Sequence, residues 1–349
     1  MSGEYQRPAA AGGGLRLHLN ENTAGCSPAV LETLRAMTRV DVAFYPDYDA
    51  AQHAVATHFD VEPDAVLLTN GLDEGILAVT AAAFRDRSRG VPDAVGVLPA
   101  FDMYEVCTEA LGGRLITVPL GARFEFSFHE IARARTPATR IVFLTNPHNP
   151  TGQILPLDPL RNLVRDLAPV ILFVDEAYAD FSGETLLDRG TLDRYRNLVI
   201  GRTFAKAYGL AALRAGALIA HPDTLAPIRR IVPPYSLNAW AAAALPVALN
   251  DRAYRDWYIA QAAESRDLLT KECVRLGLRT WPSAANFMLV HVGEKAPALT
   301  AALAARGIYV RDRSSEAGCQ GCIRITTGVV EHTRQLIAAL EEELCAKPR

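Results

Sequence analysis

Lysine is scarce in this chain. Of 36 basic residues among 349, only Lys206, Lys271, Lys295 and Lys347 are not arginine. Arginine evidently serves wherever a surface cation suffices, so a retained amine suggests chemistry closed to a guanidinium, such as Schiff-base formation with a carbonyl. Long apolar runs are also missing: the longest candidate, residues 239–249, contains Pro246 and is too short to cross a bilayer. The N-terminus has Glu4 and Arg7 among alanines and glycines and lacks an apolar segment of signal-peptide type. Residues 1–14 are therefore expected to form a mobile tail. A net charge of −3 gives no electrostatic case for binding nucleic acid or an anionic membrane. Cysteine is too sparse for a framework: Cys26, Cys107, Cys273 and Cys345 stand alone. Cys319-Gln320-Gly321-Cys322 is a single C-x-x-C without a second pair, which argues against a metal site. Reduced thiols in a cytoplasmic protein are the simplest account. There is no internal repeat and no sustained low-complexity segment.

What is present is alternation. Apolar runs at residues 66–69, 94–98, 114–118, 141–144, 170–174, 198–201 and 215–220 are separated by helical stretches, which predicts a mostly parallel sheet covered on both faces by helices. After Pro246 the pattern shifts to a long helix-like segment with Trp257 and Tyr258. Short strands near residues 287–290 and 323–326 follow, then an amphipathic helix over residues 331–344.

Lys206 lies in Thr203-Phe204-Ala205-Lys206-Ala207-Tyr208-Gly209-Leu210, just past an apolar run and ahead of Arg214. About thirty residues upstream, a run that reads as a strand buried on both faces ends in Asp175-Glu176-Ala177-Tyr178. Asp175 then falls at a strand's carboxyl end, where open α/β sheets bind their ligands. Another such strand delivers the turn Thr145-Asn146-Pro147-His148-Asn149-Pro150-Thr151-Gly152. Asn149, Asp175 with Tyr178, and Lys206 with Arg214 form a constellation suited to pyridoxal phosphate. The lysine binds the aldehyde, and the aspartate pairs with the pyridinium nitrogen so that the ring accepts electrons. Asn70-Gly71-Leu72-Asp73-Glu74, between a strand and a helical stretch, would present backbone N–H groups to a phosphate.

From about Leu15 to the C-terminal helix, the chain resembles the fold-type I pyridoxal-phosphate aminotransferases (class I/II), and within them the histidinol-phosphate aminotransferase group. The resemblance is carried, in the family's order, by Leu19-Asn20-Glu21-Asn22, Tyr45-Pro46-Asp47, Asn70-Gly71-Leu72-Asp73-Glu74 and Pro99-Ala100-Phe101-Asp102-Met103-Tyr104. The asparagine-proline turn, Asp175-Glu176-Ala177-Tyr178 and the lysine segment come next, then Ser283-Ala284-Ala285-Asn286-Phe287 and Cys322-Ile323-Arg324-Ile325-Thr326. It implies a large cofactor-binding domain over residues 46–245 and a smaller α/β domain built from residues 15–45 and 246–349. It also implies a homodimer with shared active sites.

By the same resemblance Lys206, Asp175 and Tyr178 are catalytic. The cofactor is held by Gly71, Leu72, Asp73, Tyr104, Asn149, Thr203 and Arg214 as well, with Tyr45 reaching the phosphate from the neighbouring subunit. Tyr104 is expected to stack on the pyridine ring, and Asn149 and Tyr178 to hydrogen-bond its phenolic oxygen. Arg311, Arg324 and Asn22 are the expected substrate contacts, two arginines being able to clamp a phosphate or carboxylate. Arg313 reads as a solvated side chain. The implied reaction is transamination between histidinol phosphate and 2-oxoglutarate, in histidine biosynthesis.

The sequence departs from the family at three places. Leu72 stands where relatives commonly have a smaller residue, Ala205 where many have a second hydroxyl, and Ala24 where relatives have the tyrosine that closes over the substrate. The last keeps an aromatic amino acid open as donor. A threonine-phosphate-type decarboxylase is the alternative in another reaction class. A non-catalytic regulator is disfavoured, because only about fourteen residues precede the family motifs.

Overall fold

The structure is a computed structural model that describes residues 13–188 and 190–345. All but the last two residues of the expected N-terminal tail lie outside the described residues. The central sheet has seven strands: β1 (Val66–Asn70), β2 (Asp93–Leu98), β3 (Arg114–Pro119), β4 (Thr139–Thr145), β5 (Ile171–Asp175), β6 (Leu198–Thr203) and β7 (Ala215–Ala220). Their order is β1-β7-β6-β5-β4-β2-β3, and only β7 runs antiparallel to its neighbours. Leu172, Phe173 and Val174 of β5 are fully buried, as expected of a central strand sandwiched between helical layers. Burying each such side chain contributes roughly 1.5–3 kcal/mol.

This topology sets the position of the site. β4, β5 and β6 are adjacent and parallel, so the segments leaving their carboxyl ends emerge side by side. Because β7 is antiparallel, its first residue Ala215 pairs with Asn70 at the end of β1. Arg214 and Gly71 are thereby brought to the same edge of the sheet.

A smaller antiparallel sheet contains β8 (Arg279–Thr280), β9 (Phe287–His291), β10 (Arg311–Asp312) and β11 (Cys322–Thr326), in the order β10-β11-β9-β8. Helices Arg252–Arg275, Ala296–Ala305 and Val330–Cys345 share a core with it that includes Leu269, Leu299, Leu336, Met288 and Ile325. Near the N-terminus, Leu15–Arg16 pairs in parallel with Ile308–Tyr309. Asn20 then ties this segment down: its backbone N–H donates to Thr326 Oγ1 at 3.0 Å, and its carbonyl accepts from Asn286 Nδ2 at 3.1 Å. Helix Ala239–Asn250 runs through position 245 without a break, and Val30 of helix Pro28–Arg35 lies in the same core as its buried face.

Candidate active site

A cavity of about 220 Å³ lies beyond the ends of β4, β5 and β6. Asp73, Asn149, Asp175, Tyr178, Thr203, Lys206, Arg214, Arg311 and Arg324, all singled out from the sequence, line it. Lys206 sits in the turn after β6, where its Nζ donates to the Leu19 carbonyl at 3.0 Å and lies 5.9 Å from the centre of the Tyr178 ring. The Tyr178 hydroxyl in turn accepts from Asn20 Nδ2 at 3.0 Å.

Asp175 is buried at the end of β5. Its Oδ1 accepts from the Ala177 backbone N–H at 3.0 Å and its Oδ2 from the Tyr104 hydroxyl at 2.8 Å. Burial pushes its carboxyl up to about 6, the two hydrogen bonds pulling the other way. A cationic ring nitrogen would supply the counter-charge that this carboxylate lacks. The next residue, Glu176, is held by the buried Arg202 at 3.0 Å, which fixes the turn carrying Asp175 and Tyr178.

At the other side of the cavity, helix Gly71–Ala83 starts with Leu72 and Asp73 in the wall. Gly71 has φ +77°, and a Cβ there would lie 2.4 Å from Arg214 Nη2. Glycine is therefore required twice, for its backbone conformation and for the close approach. Arg214 is itself left-handed (φ 56°), and its Nη2 donates to Asp73 Oδ2 at 2.7 Å. Strain of this kind, held in place by surrounding structure, is characteristic of binding sites. A Cβ on Gly216 would come within 2.7 Å of the Leu72 backbone nitrogen, so the start of the helix sits directly on β7. Leu72 fits without disturbing the helix because Gly201 faces it, where a Cβ would meet Leu72 Cδ1 at 2.8 Å.

Four expected site residues are not in the cavity wall: Gly71, which is packed against Arg214, and Tyr104, Asn22 and Tyr45. Tyr104 is not in the cavity wall: it is buried beneath Asp175, stacked on Phe143 with ring centres 4.8 Å apart and planes 6° from parallel. It supports the carboxylate from below, and of the two rings in this motif Phe101 is the one that lines the cavity. The motif contains both rings, but Tyr104 is in the first turn of helix Met103–Ala110, whose inward face turns it away from the opening. Asn22 borders a neighbouring cleft instead, its Nδ2 donating to the Ala207 carbonyl at 3.0 Å. Asn22 thus steadies the lysine segment, and Asn20 is the asparagine at the cavity. Tyr45 is 76 % exposed, stacked on Tyr235 and outside the cavity of its own chain.

The far end of the cavity is basic. Arg311 and Arg324 are directly opposed across β10 and β11. Arg324 is buried, its Nη1 donating to Asn149 Oδ1 at 2.6 Å and its Nη2 to the His18 carbonyl at 3.0 Å. Burial first, then the positive charge of Arg313, lowers it to about 10. Arg313, expected in solvent, is instead buried, lines the cavity and forms an ion pair with Glu316. The correction has a simple cause. Residues two apart in extended chain share a face, so Arg313 follows Arg311 inward.

These residues fit pyridoxal phosphate. One cavity combines a primary amine, a buried carboxylate and a helix start beside an arginine. Among the described residues there is no cluster of metal-ligand type, and no helix is long and apolar enough to cross a membrane.

The comparisons with known proteins agree with this geometry. The family model described as "Aminotransferase class I and II" matches residues 13–340. The histidinol-phosphate aminotransferase of Pseudomonas syringae pv. syringae (strain B728a) is 33 % identical over 335 residues, covering 94 % of this chain and 92 % of that protein. Histidinol-phosphate aminotransferase 2 of Ralstonia nicotianae (strain ATCC BAA-1114 / GMI1000) is 35 % identical over 338 residues, covering 95 % and 88 %. The crystal structure of histidinol-phosphate aminotransferase from Sinorhizobium meliloti in complex with pyridoxal-5'-phosphate superposes with a TM-score of 0.85 at 28 % identity, covering 95 % of this chain and 90 % of that one. With sequence, cavity and relatives in agreement, the chain belongs to the class I and II aminotransferases.

Proposed function

We propose that this protein is a pyridoxal-phosphate-dependent aminotransferase that exchanges an amino group between histidinol phosphate and 2-oxoglutarate. The observation that carries the reading is a single cavity with Lys206 and Asp175 at one end and opposed arginines at the other. Pyridoxal phosphate, when bound, supplies an electrophilic carbon for amines and a ring that withdraws electrons. Lys206 Nζ would bond the cofactor's aldehyde and, as a free amine, would carry the donor's α-proton. Asp175 places a fixed negative charge at the cavity floor, and Tyr104 and the Ala177 N–H keep that carboxylate oriented. Tyr178 and Asn149 offer hydrogen bonds at the wall. Gly71, Leu72, Asp73, Thr203 and Arg214 would hold the phosphate through backbone N–H groups, a hydroxyl and a guanidinium. Arg311 and Arg324 would grip the anionic end of the donor and, in the second half-reaction, a carboxylate of the oxo acid.

The working unit we propose is a homodimer in which Tyr45 completes the partner's site. Its exposure, with that of Val40, Val42 and Phe44 just before it, supports a covered face. We propose a division at residues 45/46 and 245/246 into a large and a small domain, with the cofactor between them. A cytoplasmic location is supported by six unpaired cysteines.

A second reading, an aromatic amino acid as donor, is favoured by one observation. Ala24 and Ala205 line a cleft next to the cavity, and Ala205 borders both. The test is kcat/KM for histidinol phosphate and phenylalanine in the wild type and in Arg311→Ala and Arg324→Ala. Loss of a charge-assisted contact, about 1.5–3 kcal/mol, lowers kcat/KM by about ten- to a hundredfold. Arg324→Ala should damage both donors, and Arg311→Ala the phosphorylated one more. Faster turnover of phenylalanine than of histidinol phosphate would overturn the donor, and release of carbon dioxide in place of a keto product would overturn transamination.

A further inference from the structure

The basic end of the cavity holds one guanidinium more than the family resemblance accounts for. Arg311 and Arg324 face each other across the ladder, and Arg313 follows one step along the same face of the chain, its backbone N–H donating to the Cys322 carbonyl at 3.0 Å. All three side chains line the cavity. The Arg313 side chain is only 5 % exposed. One terminal nitrogen is taken by Glu316, but Nε is buried with no hydrogen-bond partner, and so is Nε of Arg324. A buried guanidinium N–H without an acceptor is costly, and both side chains carry one beside the cavity.

The acidic groups nearby do not cancel this end of the site. Glu316 is committed to Arg313, and its carboxyl is raised by burial, with Asp102 raising it further. Asp102 is the other carboxylate facing the region. His18 carries little positive charge, since burial lowers it. Three guanidiniums thus converge where a single carboxylate would need at most one bidentate partner. A phosphate monoester, with two charges and three terminal oxygens, has acceptors enough for all of them.

We infer that Arg313 is a specificity-determining residue. It serves as a third guanidinium of the substrate's anion subsite, held in place by Glu316, and biases the site toward amino donors that end in a phosphate. This rests on the aminotransferase reading above and adds to it the source of phosphate preference. Glu316 is the positioning residue, because it aligns Arg313 and competes with the ligand for its N–H groups.

Inorganic phosphate is the probe. With the holoenzyme, its inhibition is measured as competition against the amino donor in the wild type, Arg313→Gln, Arg313→Lys and Glu316→Gln. Arg313→Gln should weaken phosphate inhibition by about ten- to a hundredfold, with kcat/KM for an unphosphorylated donor much less affected. Arg313→Lys should recover part of the loss. Glu316→Gln should leave phosphate binding as tight as in the wild type or tighter, because the amide oxygen still aligns Arg313 while the competing negative charge is gone. A purely structural ion pair predicts the reverse, with Arg313→Gln and Glu316→Gln weakening phosphate and both donors alike. That pattern, or unchanged inhibition in Arg313→Gln, would overturn the inference. Thermal melting of each holoenzyme guards against misfolding, and the Glu316→Gln result decides even if Arg313→Gln does not fold. Failure of the wild type to use histidinol phosphate would overturn the proposed donor instead. Phosphate competition against whichever amine it does use would still judge Arg313.

Discussion

Replacing Tyr104 with phenylalanine removes one hydroxyl at the centre of the site. The ring is buried and stacked on Phe143, and phenylalanine preserves that stacking, so only the hydroxyl is lost. That hydroxyl donates to Asp175 Oδ2 at 2.8 Å and also contacts the Thr145 hydroxyl at 2.7 Å. A hydrogen bond to a charged group contributes about 1.5–3 kcal/mol, which at about 1.4 kcal/mol per unit is about one to two pH units. The bond stabilises the ionised carboxylate, so its loss raises Asp175 above the value of about 6 that burial already imposes. Protonation of Asp175 removes the charge that a pyridinium nitrogen requires, and cofactor affinity should fall as pH drops through the carboxyl's pKa in the cofactor-free protein. The wild type should therefore lose affinity below about pH 6, and the variant below about pH 7–8. Titrating the two cofactor-free proteins with pyridoxal phosphate between about pH 5.5 and pH 9 tests this, since titration of the ligand itself cancels in their ratio. The variant should bind about five- to fiftyfold more weakly at pH 6, and nearly equally at pH 9. A loss that is the same at every pH, or no loss, would refute the role given to Tyr104.

Two further outcomes follow from the same geometry. Gly71→Ala should displace Arg214 and break its contact with Asp73, because the new Cβ would sit 2.4 Å from the guanidinium at φ +77°. A left-handed alanine costs about 1–2 kcal/mol; melting should fall by a few degrees and cofactor affinity by more than about tenfold, whereas wild-type affinity in a direct titration would remove the helix start from the phosphate site. Mixing Tyr45→Phe chains with Lys206→Ala chains should regenerate activity, since one hybrid site carries both defects and the other neither. Absence of recovery where subunit exchange is demonstrated would mean that Tyr45 does not act across an interface.

Much of this was legible in the sequence, for reasons particular residues make plain. Strands such as β5, with Leu172, Phe173 and Val174 buried on both faces, announce themselves as uninterrupted apolar runs. Asp175, Asn149 and Lys206 were found because each follows such a run, and adjacency of the strands did the rest. Direction was harder to read. Tyr104 and Phe101 belong to one motif, but the phase of the helix beginning at Met103 decides which of them meets the cavity, and the motif does not reveal that phase. Asn20 and Asn22 pose the same question within one short segment, and hydrogen bonds to Tyr178 and Ala207 answer it. In sequence Arg313 reads as a solvated side chain, since arginines usually lie in water. Two signals pointed inward all the same: its spacing of two from Arg311, and a glutamate three residues on that could pair with it.

The central claim is that Lys206 is the amine that bonds the cofactor. The purified protein loaded with pyridoxal phosphate is reduced with borohydride, which makes the lysine–cofactor bond permanent, and its peptides are sequenced by mass spectrometry. The phosphopyridoxyl group should be found on Lys206, and on none of Lys271, Lys295 or Lys347. Labelling of another lysine with Lys206 unmodified, or no stable adduct in a protein that still transaminates, would contradict the account at its base.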